Sequence, residues 1–325
     1  RRWSVRGGQP TRSEIFTMYQ TASFTHRRWI SGGLVVCGLA ATWFASSEAA
    51  LAQTGSVKPA SAIQQVSLPT RAILDAPISI KDQPFDHALR WARAGLKHIH
   101  NHIHDYTCTL VKRERVDGEL SEYQYVYCKV RHTNDAGQDS LGIYMRFLAP
   151  SAVQGREVLY VEGENDGHMI ARKGGRRFAY ITVEVDPTSD LAMRDNRYPI
   201  TEFGVENLVS RLIDVAEEEA ALNECSVRYF RNAKVDGRMC TGIEVTKQVQ
   251  REDSRFYQAK IYIDNELQVP IHFETYDWPA KEGGEPQLLE QYTYRNLQVN
   301  LGLTDADFDR NNASYQLRKP AKSDR

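Results

Sequence analysis

The usual catalytic signatures are missing from this chain: no G-x-S-x-G elbow, no H-E-x-x-H and no glycine-rich phosphate loop occur in it. Their absence removes the serine-hydrolase, zinc-peptidase and P-loop chemistries that those spacings serve. Asp and Glu residues are scattered, and no spacing among them argues for a paired acid and base. Excess charge of one sign is missing as well. With 41 Lys and Arg against 42 Asp and Glu, the formal net charge is -1, so no basic field points to nucleic acid. A membrane-length apolar run is also lacking, since Leu34 to Ala45 falls short of the about 20 residues that a span requires. Neither an enzyme nor a bound cofactor is expected.

What the N-terminal part does contain is an export pattern. Arg27 and Arg28 precede the short apolar run, and Ala50-Leu51-Ala52 follows it. A positive region, an apolar stretch and an A-x-A exit make a secretory signal, with cleavage expected near Gln53 and delivery to the periplasm or beyond. The chain opens on Arg1, and Met18 reads as a start, with residues 1–17 upstream of it. His26 stands where a twin-arginine signal carries Ser or Thr, and Val36 is too large for the position before a lipidated Cys37. The expected organisation is an N-terminal extension with signal (1–52), a flexible Ser-, Ala- and Pro-rich leader (53–83), one folded domain (84–310) and a polar tail (311–325).

Within the domain, Pro84 to Ile103 predicts a helix whose apolar face carries Phe85, Leu89, Leu96, Ile99 and Ile103. Period-two alternation then predicts strands at 105–116, 119–132, 141–148, 157–163, 168–173 and 177–185, joined by turns such as Asp117-Gly118 and Asp166-Gly167. Connections this short make sequential strands neighbours in an antiparallel meander. Alternation stops from Asp186 to Phe203, a long loop of the kind that is often functional or mobile. A second helix, 204–222, ends in Glu217-Glu218-Glu219, where the helix dipole disfavours acid. Five more strands follow to Asn300. Pro270 marks an edge or a bulge.

After signal removal four cysteines remain: Cys108, Cys128, Cys225 and Cys240. A two-residue turn at Asp117-Gly118 sets Cys108 against Tyr127, with the two cysteines on opposite faces; a three-residue turn with a bulge sets Cys108 against Cys128. Cys225 and Cys240 flank Asp236-Gly237 unevenly, roughly 25 Å apart at about 3.3 Å per residue in a regular hairpin. Cys108 with Cys128 is the preferred disulfide. His98, His100, His102 and His104 supply two i, i+4 pairs, the spacing that can hold a divalent metal, against the plainer reading of a solvated helix end. Arg172, Lys173, Arg176 and Arg177 straddle Gly174-Gly175, and suit either an anionic membrane surface or a solvated hairpin tip.

The order of a helix, Asp105-Tyr106-Thr107, the phrase YMRFLAPSAVQGREVLYVEG, the phrase YIDNELQVPIHFETYDWP and the closing YTYRNLQVNLGLTDADF resembles the exported bacterial domain of unknown function numbered 1571. In architecture it is similar to the half-barrel of LolA, LolB and the RseB/MucB sensors. That resemblance implies an α+β fold: a large curved antiparallel sheet, an incomplete barrel, with two main helices packed on its concave face. It also implies an apolar concavity that takes lipid or acyl groups. Ile143, Met145, Phe147, Leu159, Val161, Ile181 and Val183 would then line it, with Met193 and Tyr198 on the loop above. The expected function is a periplasmic binding or carrier protein whose partner is a hydrophobic small molecule or a lipidated protein. The alternative is an envelope interaction or sensor module with a filled core.

Overall fold

The helix expected near residue 84 begins at Asp86 and ends at His102 (α1), with an acid in its first turn and His100 and His102 in its last, both favourable to the helix dipole. Phe85, Leu89, Ile99 and Ile103 of this segment are buried. A computed structural model describes residues 85–135, 138–174 and 181–317. The signal, the leader, the Arg176-Arg177 part of the basic tip and residues 318–325 of the tail lie outside the described residues.

The strands are β1 (Asp105–Val116), β2 (Glu119–Leu120), β3 (Gln124–Asp135), β4 (Gln138–Ala149), β5 (Glu157–Val161), β6 (Met169–Arg172) and β7 (Thr182–Val185). After α2 (Asp190–Met193) and α3 (Val205–Leu222) come β8 (Cys225–Val235), β9 (Arg238–Lys247), β10 (Gln258–Asp264), β11 (Pro270–Asp277) and β12 (Gln287–Val299). All twelve belong to one antiparallel sheet in the order β7-β6-β5-β4-β3-β1-β12-β11-β10-β9-β8, with β2 on β1. The end strands β7 and β8 do not meet, so the barrel is incomplete. Two meanders run in sequence, and the β1–β12 pairing joins them at the centre. The Asp117-Gly118 turn puts both residues at positive φ, 50° and 83°, the conformation that a tight two-residue hairpin demands.

One face of the sheet is covered by α1 and α3. Tyr106, Cys108 and Leu110 of β1, Val126, Cys128 and Val130 of β3, and Ile143 and Phe147 of β4 point there. They pack with Val205, Leu208, Val209 and Ile213 of α3. That helix starts at Gly204, whose φ of 123° is open to glycine, and its first amide, Val205 N–H, donates to the Tyr106 hydroxyl at 3.1 Å. Asn223 closes it in the left-handed conformation.

The opposite face is crossed by residues 300–317, a strap that runs from β1 towards β7. Asp105 grips its start, accepting from the backbone amides of Leu301, Gly302 and Leu303 at 2.6, 3.0 and 3.1 Å. Lys129 pairs with Asp307 and Arg131 with Asp305, each at 2.6 Å. Phe308 lies on Gly142, where an added methyl would meet its ring at 3.1 Å. Tyr315 stacks on Tyr144 with ring centroids 3.8 Å apart, and Leu317 is fully buried. The expected polar tail from 311 is corrected here: the chain packs on the sheet as far as Leu317.

Candidate functional site

The structure divides the apolar residues expected to share one surface. Ile143, Met145 and Phe147 face the helices; Ile143 and Phe147 are buried and Met145 half-buried. Met145 pairs with Val158, and Ile143 with Tyr160. Cross-strand partners share a face, so Val158 and Tyr160 turn inward with them. Leu159 and Val161 therefore point the other way, into a second core with Tyr144, Ile170, Phe308 and Leu317. Their assignment to the concave face is corrected.

Across the edge of the helix-covered face, pairing runs Met145, Val158, Ala171, Val183 from β4 to β7. Burial fades along this row. Val158 is buried, Ala171 is half-buried, and Val183 and its neighbour Ile181, two residues along, are 42% and 40% exposed. Leu191 in α2, on the segment that leaves β7, is 58% exposed, and Met193 is half-buried. An apolar strip of sheet is thus left open where β6 and β7 meet the 186–203 segment.

That segment is fastened by polar groups at its far end. Lys112 donates to Asn196 Oδ1 at 2.6 Å, and the Arg197 amide to Glu114 Oε2 at 3.1 Å. The Tyr198 hydroxyl donates to Glu290 Oε1 at 3.0 Å, and the Arg197 guanidinium stands 3.4 Å from Glu290 Oε2. Tyr292 donates to Glu114 Oε1 at 2.6 Å, while Arg211 lies 3.8 Å over the Tyr198 ring. Glu114 and Glu290 are both buried. Burial, with Glu290 beside it, pushes the Tyr198 hydroxyl well above its ordinary range; burial with Glu114 and Glu290 does the same to Tyr292. Both phenols stay protonated and act as donors. All four carboxylate oxygens of this pair are engaged, Thr275 also donating to Glu290 Oε1 at 3.0 Å. The cluster holds a loop in place and leaves no idle acid or base.

The histidines separate. His98 and His102 rings lie 4.8 Å apart, His100 Nε2 meets Glu206 Oε1 at 2.8 Å, and the His104 amide donates to Asn300 Oδ1 at 2.9 Å. Glu206 also meets His132 Nδ1, at 3.2 Å. Among the described residues no group of three or more His, Cys, Asp or Glu side chains is arranged to hold a metal ion. Cys108 and Cys128 are direct cross-strand partners, both buried thiols.

Sequence reasoning missed a cleft of about 630 Å³ between the strap and β5–β6. Leu159, Val161, Ile170 and Phe308 form its apolar surfaces, and Arg131, His168, Asp305, Asp309 and Arg310 its rim. The signal was available in LTDADF and in the apolar Tyr315 and Leu317 beyond it, which read as a tail. Rim charges of both signs give the cleft no preference for an anion or a cation.

No curated protein matches the chain. Solved structures match the chain at low identity and low structural similarity. A DUF1329 family protein from Desulfovibrio piger is 14% identical with a TM-score of 0.35, over 70% of this chain and 98% of that one. MucB in complex with MucA(peri) is 16% identical at 0.36, over 73% of this chain and 60% of that one. Mycobacterium tuberculosis lipoprotein LppX is 14% identical at 0.34, over 66% and 99%. Likenesses of this size carry no functional argument. The family model described as "Protein of unknown function (DUF1571)" matches residues 103–317, from the end of α1 through the last buried residue of the strap, and the chain belongs to that family.

Proposed function

We propose that the protein is an exported binding domain that holds a hydrophobic ligand, a lipid or the acyl group of a lipidated protein, on the open strip beside the 186–203 segment. The observation that carries this is the apolar row Met145, Ala171, Val183 and Ile181, which the protein's own helices leave partly uncovered. Export rests on the signal pattern before Gln53. An acyl chain burying about ten methylenes at ~0.8 kcal/mol each gains roughly 8 kcal/mol, a Kd on the order of 1 μM. Few polar contacts are needed for such affinity. Titration with a fluorescent fatty acid tests the reading. Val183→Asp and Ile181→Asp should each weaken binding about tenfold or more, whereas Val161→Asp, in the cleft of the opposite face, should leave it unchanged. Absence of saturable probe binding to the wild-type protein would overturn the proposal.

The filling of the main core favours a second reading, an envelope interaction module. Tyr106, Val130 and Ile143 are inaccessible beneath the helices, so the strip is shallow at that end. On this reading the same aspartate variants abolish protein–protein association while the fatty-acid probe fails to bind even the wild type.

A further inference from the structure

We infer that Cys108 and Cys128 are joined by a disulfide in the exported protein, a covalent cross-link between β1 and β3 at the middle of the sheet. Register carries the argument. The two-residue turn holds Val116 against Glu119 and Arg115 against Leu120. Residues 121–123 then lie between β2 and β3, after which Lys112 faces Gln124. That single-residue shift moves Cys108 from Tyr127 onto Cys128. The His132 amide donates to the His104 carbonyl at 2.8 Å; counting in twos from there puts Cys108 and Cys128 at a hydrogen-bonded pair. Cα atoms of such a pair stand about 5.5 Å apart, inside the range of about 4.4–6.8 Å that a disulfide spans. Both side chains point into the same core, 2% and 0% exposed. Cys128 and burial together hold the Cys108 thiol well above its ordinary range.

The other two cysteines have no such partner. Cys225 faces Lys247, and Cys240 faces Ala233 on one side and Asp264 on the other. Seven positions of β9 separate Cys240 from the residue opposite Cys225, beyond disulfide reach.

The reaction is thiol–disulfide exchange with a disulfide oxidant. One cysteine thiolate attacks the oxidant's disulfide and releases a first thiol. The second then attacks the mixed disulfide, releasing another thiol and leaving the Cys108–Cys128 bond; both cysteine protons pass to solvent or to the leaving thiolates. Burial makes this an event of folding rather than of the finished fold.

The test is refolding of the full chain from denaturant in a glutathione redox buffer, followed by alkylation and peptide mapping without reductant. The expected result is one linked peptide pair, containing Cys108 and Cys128 and two hydrogens lighter than the reduced pair, with Cys225 and Cys240 alkylated. Added reductant should lower the Tm of this protein and leave that of a Cys108→Ser/Cys128→Ser variant unmoved. Alkylation of both Cys108 and Cys128, or a link to Cys225 or Cys240, would overturn the inference. Because the bond in the cell depends on export, protein recovered from the periplasm is mapped in parallel. A link formed in glutathione but absent from periplasmic protein would overturn the inference, whereas failure to recover the chain from the periplasm would sink the export reading and spare the pairing.

Discussion

At Glu219 a run of acid that the helix dipole disfavours is resolved one side chain at a time. Glu217 meets Arg93 of α1 at 2.7 Å, Glu218 meets Arg255 at 3.0 Å, and Glu219 meets Lys247 at 2.9 Å. Only the last is buried, its side chains 7% and 2% exposed, and Cys225 donates to its second oxygen. The first two are exposed pairs of little energetic weight. Lys247→Met should cost about 3–5 kcal/mol in denaturant unfolding, because it strands a buried carboxylate, while Glu219→Leu/Lys247→Met should recover much of the loss. If the single and double variants are equally stable, the pair is not buried as described. Asp105 is a second such residue. It accepts three backbone amides at the start of the strap; Asp105→Ala should destabilise by about 1–3 kcal/mol and raise the protease sensitivity of residues 300–317 first.

Among the elements, the 186–203 segment is the one whose mobility bears on ligand entry. Its proximal half is closed locally, with Thr188 donating to Asp186 through both its amide and its hydroxyl at 2.7 Å. Its distal half is anchored by Asn196 to Lys112, by Arg197 to Glu114 and by Tyr198 to Glu290. Glu290→Gln weakens the ion pair to Arg197 and alters the acceptors of Tyr198, Thr275 and Tyr292. Trypsin cleavage after the exposed Arg194 should then accelerate about tenfold, the equivalent of ~1.4 kcal/mol of easier local opening. An unchanged cleavage rate would mean that the anchor does not govern the segment. The sequence made the strands legible because β1, β4, β10 and β12 are read by alternation and punctuated by Asp-Gly turns. It misled at β5, where Glu157, Val158, Leu159 and Tyr160 are all buried. A strand covered on both sides has no polar face to mark its orientation, so Leu159 and Val161 read with Ile143 by their character alone. The cause of that double cover, the strap, is an irregular segment. Its docking depends on Asp305, Asp307 and Phe308, distant contacts that no local period encodes. The Cys108 register stayed open for a related reason, since a one-residue shift between β2 and β3 is set by packing and not by the turn.

For the molecule as a whole, stability is tied to carboxylates on the neighbouring strands β10 and β11 and on the strap. Burial alone would raise Glu274 of β11, but His272 and Lys260 beside it hold its carboxyl below the usual range. Asp264 is likewise lowered against burial, by the ion pair with Arg238 and by the amides of Leu267 and Glu266. Asp307 on the strap is lowered against burial by Lys129 and the Thr304 amide. The sign follows from proton counting. In each case the unfolded chain, with pKa values near about 3.9 for Asp and 4.3 for Glu, binds protons that the folded one does not. These groups therefore add stability above about pH 4, and lose it progressively as pH falls through their lower folded values. Denaturation midpoints should fall steadily on acidification below about pH 4. Because β12 ties both meanders together and the strap spans β1 to β7, far-UV and tryptophan signals should fall together along that limb. Asp307→Asn removes one of the three groups and should make the acid limb shallower while lowering stability at neutral pH. An Asp307→Asn profile parallel to wild type at every pH would show that the strap's charges play no part in the acid response. A strap that melts before the sheet would appear as two separated transitions, and would show that the two faces of the sheet are held independently.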